Sequence, residues 1–329
     1  MQQEIRFATF NVCNLALPGI QFYPDQEPYT QAQYDAKVLW LAQQIDLLDA
    51  DVIGFQEIFS QVALKQVLAT SVRYRDAQQV GEEPTLYEGR LSPSVALVSR
   101  LPLVAGATTC SVLPRQLSVM LPDMDEPVTR FTRPILQAQV AVSPTLTVNV
   151  LVCHLKSKRP DYRSDGSEDA ATHLDLGLLR SLMRCGAEAL GLRYLLIDIL
   201  QDTRLPTVVM GDFNDVASAM STQLVMGARR RDDDGAEDRF FDSYRIQARR
   251  DPLRDVAFTH VHDGAYSTID HILVSKEFNP ASSDAIGAVR EVIYLNDHVA
   301  LRLPQASDHG QVLARILLRD DEAPIRPAP

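Results

Sequence analysis

The sequence predicts an α/β protein, and three observations carry the prediction. Short apolar, β-branched runs punctuated by glycine and proline read as buried strands; between them lie stretches whose apolar residues recur at three and four, as on a helix. Strand after strand also ends in a polar residue from a restricted set. The segment Val208-Val209-Met210-Gly211-Asp212-Phe213-Asn214-Asp215 shows the last feature most clearly. Residues 205–210 read as a buried strand, and in extended geometry Asp212 and Asn214, two apart, project to the same side while Phe213 points away. The competing reading is a turn whose Asp and Asn bond their own backbone.

Taken in order, residues 4–10 alternate into a strand that ends at Asn11, with Cys13 and Asn14 just beyond. A Pro-, Gly-, Tyr- and Gln-rich loop follows. In residues 30–48 the apolar positions Tyr34, Val38, Leu41, Ile45 and Leu48 predict a helix with one buried face. Residues 51–57 form a second short strand closing on Glu57, and residues 58–69 a second helix. A strand over 94–98 is followed by hairpin strands between 107 and 132 around the turn at 122–125. Arg130 and Arg133 flank Phe131 directly before a strand at 135–142. The run 147–153 delivers His154-Leu155-Lys156-Ser157-Lys158-Arg159 at its end.

Residues 160–169 read as an exposed loop and 170–200 as helical, with Gly177, Gly186 and Gly191 weakening any single unbroken helix. After the strand that opens onto Asp212, the charge alternation over 229–238 reads as a solvated loop. Residues 265–275 predict one strand containing Asp270 and His271, and 287–295 another. The last strand, 311–318, is preceded by Ser307-Asp308-His309-Gly310. Residues 320–329 are proline-rich and charged and predict a flexible C-terminal tail. No internal repeat or linker is visible, so residues 1–319 are expected to form one domain.

Composition narrows the function. With 329 residues, 46% of them hydrophobic, the chain can bury a large core. No apolar run approaches ~20 residues and no basic-then-apolar leader opens the chain, so a cytoplasmic protein with no membrane span is expected. Cys13, Cys110, Cys153 and Cys185 are widely spaced, without the pairing of a zinc knuckle or a disulfide framework. A net charge of −11 argues against a broad basic surface for long polyanions. It leaves room for a smaller phosphate ester bound through a metal ion. No obligate protein partner is evident.

The strand ends supply Asn11, Glu57, His154, Asp212 with Asn214, Asp270, and Asp308 with His309. Gathering that many carboxylates at one sheet edge is costly without counter-charge. An oxygen-rich set without cysteines favours Mg²⁺, with Mn²⁺ as the alternative, over structural zinc. At ~4 Å, one carboxylate opposes a phosphate by roughly 4 kcal/mol at an effective dielectric near 20, which a divalent cation reverses. Such an ion also polarises a phosphoryl oxygen and stabilises a leaving oxygen.

The ordered series Phe10-Asn11, Gly54-Phe55-Gln56-Glu57, Cys153-His154-Leu155-Lys156, Gly211-Asp212-Phe213-Asn214, Ile269-Asp270-His271 and Ser307-Asp308-His309-Gly310 resembles the motifs of the endonuclease/exonuclease/phosphatase superfamily. That group includes pancreatic-type deoxyribonucleases, apurinic endonucleases, neutral sphingomyelinases and inositol polyphosphate 5-phosphatases. The resemblance implies a four-layer α-β-β-α sandwich of two mixed sheets flanked by helices, and a metal-dependent phosphodiesterase or nuclease. The alternatives are a small-molecule or lipid-headgroup phosphatase, or a catalytically silent binding module. Glu57, with Asn11 and Asp308, would hold the metal. Asp212 would orient or deprotonate the attacking water and Asn214 would hold that water or the phosphate. His309, oriented by Asp270, would bond the phosphoryl oxygen or exchange protons, with His154 a second ligand or donor; which histidine is the acid stays open. Asn11, Arg133 and Lys156 would contact substrate.

The sequence also departs from the family's pattern. Cys13 stands where some members carry an acidic metal ligand, which argues against a second tightly held metal. His154-Leu155-Lys156 points to the deoxyribonuclease and neutral sphingomyelinase branches. Asn296-Asp297-His298 mimics Asp308-His309, but only the latter directly precedes the last strand. His260 and His262 flank Val261 and could reach the cleft, although surface loop histidines are commoner; alternation sets His271 opposite Asp270, into packing. Substrate identity is expected to lie in loops 14–29, 76–92, 107–132, 158–170 and 226–264.

Overall fold

The computed structural model describes residues 3–23, 25–87, 90–104, 106–162, 170–227, 238–249 and 257–319. The strand run that opens the chain is longer than its sequence pattern, forming β1 (Glu4–Leu15), and it lies parallel to β2 (Val52–Ile58). Between them runs α1 (Gln31–Leu48). Thr30 caps it in a reciprocal box with Gln33, satisfying N–H groups that a helix start leaves free. The five apolar positions read from the sequence are all buried. Helix α2 (Gln61–Thr70) starts later than its pattern because Ile58 ends β2 and Ser60 supplies the cap.

The remaining strands are β3 (Gln78–Val80), β4 (Leu86–Tyr87), β5 (Arg90–Leu91), β6 (Ser94–Ser99), β7 (Thr108–Val112), β8 (Arg130–Ala141) and β9 (Thr147–His154). After α3 (Ala170–Thr203) come β10 (Thr207–Asp212), α4 (Met220–Met226), β11 (Phe241–Asp242), α5 (Ser243–Ile246), β12 (His260–His262), β13 (Ala265–Ser267) and β14 (Asp270–Val274). The chain closes with β15 (Gly287–Leu295), α6 (Asp297–Leu301) and β16 (Gln311–Leu318). Two six-stranded mixed sheets result, in the orders β15-β16-β1-β2-β6-β3 and β11-β14-β10-β9-β8-β7.

The two sheets face each other across an apolar layer in which Phe7, Leu97 and Ala314 of the first sheet meet Val150, Met210 and Ile272 of the second. Helices α1 and α2 cover the outer face of the first sheet. On the second sheet the outer cover is α3, with Ala189, Leu192 and Leu196 against Leu151, Val209 and Leu273. This is the four-layer sandwich the motif series implied. No helix among the described residues is long and apolar enough to cross a membrane.

Three readings of the sequence need correction. Helix α3 is continuous through its glycines, because Gly191 is a packing device: a Cβ there would sit 2.5 Å from a Leu113 methyl. The single strand expected over 265–275 is two, since β13 pairs with β12 in a separate hairpin while β14 joins the second sheet. Arg130 and Arg133 lie inside β8 instead of before it. The charged stretch 229–237 and the tail 320–329 lie outside the described residues.

Candidate active site

Register puts the site together. In the second sheet His154, at the end of β9, is the partner of Asp212 at the end of β10, and Asp212 is the partner of Asp270 at the start of β14. Three chemically active side chains therefore form one row along a sheet edge. The row depends on Gly211, whose φ of +153° suits glycine and whose added Cβ would lie 1.9 Å from the Cys153 carbonyl oxygen.

The first sheet closes the cleft from the other side. Its contribution comes from irregular backbone: the β1–β2 register shifts between Asn11 and Leu15, and Cys13, Asn14 and Glu57 all have positive φ. Left-handed conformations are costly for residues with a Cβ and gather where a site demands them. Here the deviation brings the Asn14 backbone N–H to Glu57 Oε2 at 3.0 Å, while Asn11 Nδ2 donates to Glu57 Oε1 at 3.2 Å and to Asp212 Oδ2 at 3.1 Å. Asn11 thus bridges the carboxylates of the two sheets, and its own Oδ1 accepts from the Cys13 N–H. The sequence reading of Asn11 as a metal neighbour takes a different form in this geometry, that of a bridging donor.

His309 enters from the loop before β16. Ser307 fixes this loop by donating to the Asn11 carbonyl and accepting from the His309 N–H, and His298 Nε2 lies 2.8 Å from the His309 carbonyl oxygen. His298 is therefore a buried support packed on Trp40, and the neighbouring Asp308-His309 pair faces the cleft. His309 Nδ1 meets Asp270 Oδ2 at 2.9 Å, which leaves Nε2 toward Asp212 Oδ2 at 3.9 Å. His154 Nε2 lies 3.3 Å from the same Asp212 oxygen.

The expectation that Asp212 and Asn214 point to one side from an extended strand does not hold. Asn214 has φ +54°, its N–H donates to Asp212 Oδ1 at 2.8 Å and its Nδ2 donates to the Leu155 carbonyl. The turn reading is met by Asp212, which accepts from the Asn214 N–H, while Asn214 reaches across to Leu155. One Asp212 oxygen closes the turn, and the other faces Asn11, His154 and His309.

Burial, then the neighbouring Asp270 carboxylate, push Asp212 up to about 7. Burial alone would depress His309, but Asp270, by charge and hydrogen bond, and Asp212 hold it well above the usual imidazole range. Burial, followed by the nearby Arg133 and His309, drives His154 well below that range. One imidazole is thereby held protonated and the other neutral. Desolvation works to raise Asp308, yet His309 holds it below the ordinary carboxyl value; the Cys13 thiol donates to it.

Glu57, Asp212, Asp270 and Asp308 supply hard oxygen donors of the kind Mg²⁺ or Mn²⁺ takes. The rise of Asp212 shows a carboxylate in need of more positive charge, and Asp270 Oδ1, His154 Nδ1 and Arg133 Nε are buried without a hydrogen-bond partner among the described residues. Buried orphan atoms of this sort suit a site that takes a cation and an anionic ligand together, so the residues fit a divalent metal. The oxygens of Asp212 and Asp270 also lie within 4.8 Å of each other and of a His309 nitrogen.

The basic rim read from the sequence is mostly engaged elsewhere. Lys156 does not face the cleft: its ammonium donates to the Ser157 and Arg159 carbonyls and to Ser181 Oγ. Lys158 pairs with Asp215 at 2.6 Å. Arg133 stays beside the cleft, donating to the Leu155 carbonyl, while Arg130 and Arg159 are exposed. His271 is packed against Phe213, with Nε2 on the Asp215 carbonyl, as alternation predicted.

Two contributors escaped the sequence reading. Lys37 on α1 is 2% exposed, lies over the Tyr29 ring at 5.8 Å, and shares its surroundings with Cys13, Glu57 and Asp308. Its signal was a lysine on an otherwise apolar stripe between Tyr34 and Leu41. Glu188 on α3 is fully buried and accepts from the Thr132 N–H and hydroxyl and from the Lys156 N–H. It fixes the strand end before Arg133 and the segment after His154.

A family model described as the endonuclease/exonuclease/phosphatase family matches residues 8–309. No curated protein sequence matches the chain. Among solved structures, an endonuclease/exonuclease/phosphatase from Bacteroides vulgatus is similar with a TM-score of 0.60 at 14% identity, covering 96% of this chain and 100% of the other. The human Nocturnin catalytic domain with a bound sulfate anion gives 0.55 at 15% identity over 97% and 98%. The Bacteroides thetaiotaomicron mannosyl-6-phosphatase gives 0.56 at 17% identity over 95% and 99%. At such identities the likeness is one of fold.

Proposed function

Because the chain belongs to the endonuclease/exonuclease/phosphatase family, we propose that it is a divalent-metal-dependent phosphoesterase that hydrolyses a P–O bond by in-line attack of water, acting on a phosphodiester. The observation that carries this reading is the His154–Asp212–Asp270 row of one sheet, met by His309 from the other at 2.9 Å. A silent binding module would have no need of Glu57, Asp212, Asn214, Asp270 and His309 together.

Glu57 and Asp308 would hold the cation, which when bound supplies charge neutralisation and polarisation of a phosphoryl oxygen. Asp212, whose Oδ2 faces Asn11, His154 and His309, accepts a proton from the attacking water. Asn11 fixes the Asp212 oxygen that does so, and Asn214 closes the turn behind it. His309, kept cationic by Asp270, donates from Nε2 to a phosphoryl oxygen. His154, neutral, holds Asp212 Oδ2 in place, and Arg133 stands ready for a second phosphate oxygen.

A second reading, a small-molecule phosphatase, has a specific observation behind it. Lys156 and Lys158 are engaged by internal acceptors, so the described rim offers few free cations for a long polyanion, in keeping with a net charge of −11. The mannosyl-6-phosphatase likeness is consistent with that reading.

The test is a substrate panel of single- and double-stranded nucleic acids, cyclic and linear dinucleotides, a generic diester and monoesters, with Mg²⁺ or Mn²⁺ and with chelator. Hydrolysis of a diester that chelator abolishes is expected. No turnover of any phosphoester with either ion would overturn the proposal, and turnover of monoesters alone would select the second reading.

A further inference from the structure

His260 stands outside the roles assigned above. It opens the β12–β13 hairpin, and its backbone forms an isolated antiparallel bridge with His309. The hairpin root is firmly held. The Gly310 N–H donates to the Thr259 carbonyl at 2.7 Å, and Thr259 Oγ1 accepts from the N–H groups of Ile269 and Asp270 at 3.0 and 3.2 Å. The same residues that fix Asp270 therefore fix His260. Its ring centroid lies 5.0 Å from that of His309.

A nitrogen of His260, an oxygen of Asp308 and a nitrogen of His309 all lie within 4.8 Å of one another. Zinc ligands sit about 2.0–2.2 Å from the ion, so three of them in a tetrahedral shell are roughly 3.3 Å apart. Small side-chain rotations close the difference, and the backbone that carries them is already in place. Two imidazoles and one carboxylate, with a further position open, are the ligand set of an open zinc site and are poorly suited to Mg²⁺. The Asp270 contact to Nδ1 leaves Nε2 of His309 facing outward, the carboxylate–histidine arrangement that orients a metal-binding imidazole.

We propose that His260, Asp308 and His309 form a second cation site that takes late first-row ions such as Zn²⁺ and Co²⁺. The oxygen donors around Glu57 suit hard ions, so the two chemistries are separated by donor type across the shared Asp308. Occupation of the second site displaces the proton of His309 Nε2 to solvent, which removes the donor and stops turnover; this consequence, unlike the binding itself, rests on the role proposed for His309.

The experiment uses the full chain freed of metal and titrated with Co²⁺, read by visible absorption. A band of a nitrogen-ligated ion is expected, kept in Asp212→Asn and in the exposed-histidine control His262→Ala, and lost in His260→Ala. In parallel, Zn²⁺ titrated against Mg²⁺-supported hydrolysis should require an about tenfold or higher concentration for half-inhibition in His260→Ala, each protein being scaled to its own uninhibited rate. Circular dichroism shows whether each variant is folded. A band kept by His260→Ala and lost by Asp212→Asn would place the ion among Asp212, Asp270 and His309 and overturn the proposal. So would the absence of any band in the wild type. The absorption arm stands whether or not a substrate is found, which separates failure of this site from failure of the phosphoesterase reading.

Discussion

His309 Nδ1 and Asp270 Oδ2 lie 2.9 Å apart across the meeting of the two sheets, one residue carried by the loop before β16 and the other by the start of β14. The contact fixes the imidazole's orientation and keeps it protonated. With amide in place of carboxylate, the main source of the upward shift is gone. Asp270→Asn should lower kcat by roughly 10²–10⁴-fold. The alkaline limb of its pH–rate profile should move to lower pH, because His309 then loses its proton earlier. An unmoved limb would mean that this pair does not set the catalytic proton.

Asp212 gives a stability prediction. Its folded carboxyl titrates at about 7, against about 3.9 unfolded, so the folded state binds the proton more tightly. Asp212 therefore contributes stability to the metal-free protein that is lost as pH rises from about 4 to about 7. His309, raised as well, adds to the loss as pH climbs above the unfolded imidazole value. His154, held below its unfolded value, works the other way, gaining stability as pH rises toward that value. The Asp212 part is isolated by comparison: in chelator, Tm should fall more steeply, or rise less, with pH in wild type than in Asp212→Asn. Added Mg²⁺ or Mn²⁺ should raise Tm more at pH 8 than at pH 5, since protonated carboxyls bind it poorly. Equal pH slopes in the two proteins would contradict the assignment.

Gly211→Ala tests the register that builds the row. Its Cβ would lie 1.9 Å from the Cys153 carbonyl oxygen, in the β9–β10 ladder one pair before Asp212 and His154. A loss of at least about 4 kcal/mol, or insoluble protein, is expected. Urea denaturation measures it, and a loss below about 1 kcal/mol would show that the strands need not approach so closely.

Glu188→Ala removes three hydrogen bonds at a fully buried carboxylate. A destabilisation of about 3 kcal/mol is expected, with the Thr132 and Lys156 N–H groups left unpaired. Since the carboxylate touches no reacting group, kcat/KM should fall in Glu188→Ala and recover in part in Glu188→Gln, whose single amide oxygen can replace one of the two accepting carboxylate oxygens. Equal kinetic loss in both variants would count against a positioning role.

The strand ends were legible because a buried strand closing on an isolated polar residue leaves a period-two signal followed by a break. Asn11, Glu57, His154 and Asp212 were singled out in that way, Asp270 and His309 by their place in the motif order, which also supplied the sandwich. The backbone that aims them was not legible. Positive φ at Cys13 and Glu57 has no local propensity to announce it, and at Asn14 and Asn214 the general tolerance of asparagine for that region does not single those positions out. Lys156, next to His154, reads in sequence as a phosphate ligand, whereas carbonyls of its own loop and Ser181 take its three donors. Glu188 and Lys37 were hidden by the opposite effect: each is a single charge in a helical apolar stripe, where periodicity reports the stripe and passes over the exception.

The central claim is that Asp212 activates water in a metal-dependent phosphoesterase. The most direct measurement is the initial rate on the best substrate of the panel, for wild type and Asp212→Ala, with Mn²⁺ and with chelator, both proteins shown to be folded. A rate is expected in wild type with Mn²⁺ that falls by roughly 10²-fold or more in Asp212→Ala and vanishes in chelator. Turnover that persists in Asp212→Ala within about threefold of wild type, or that survives chelation, would contradict that claim.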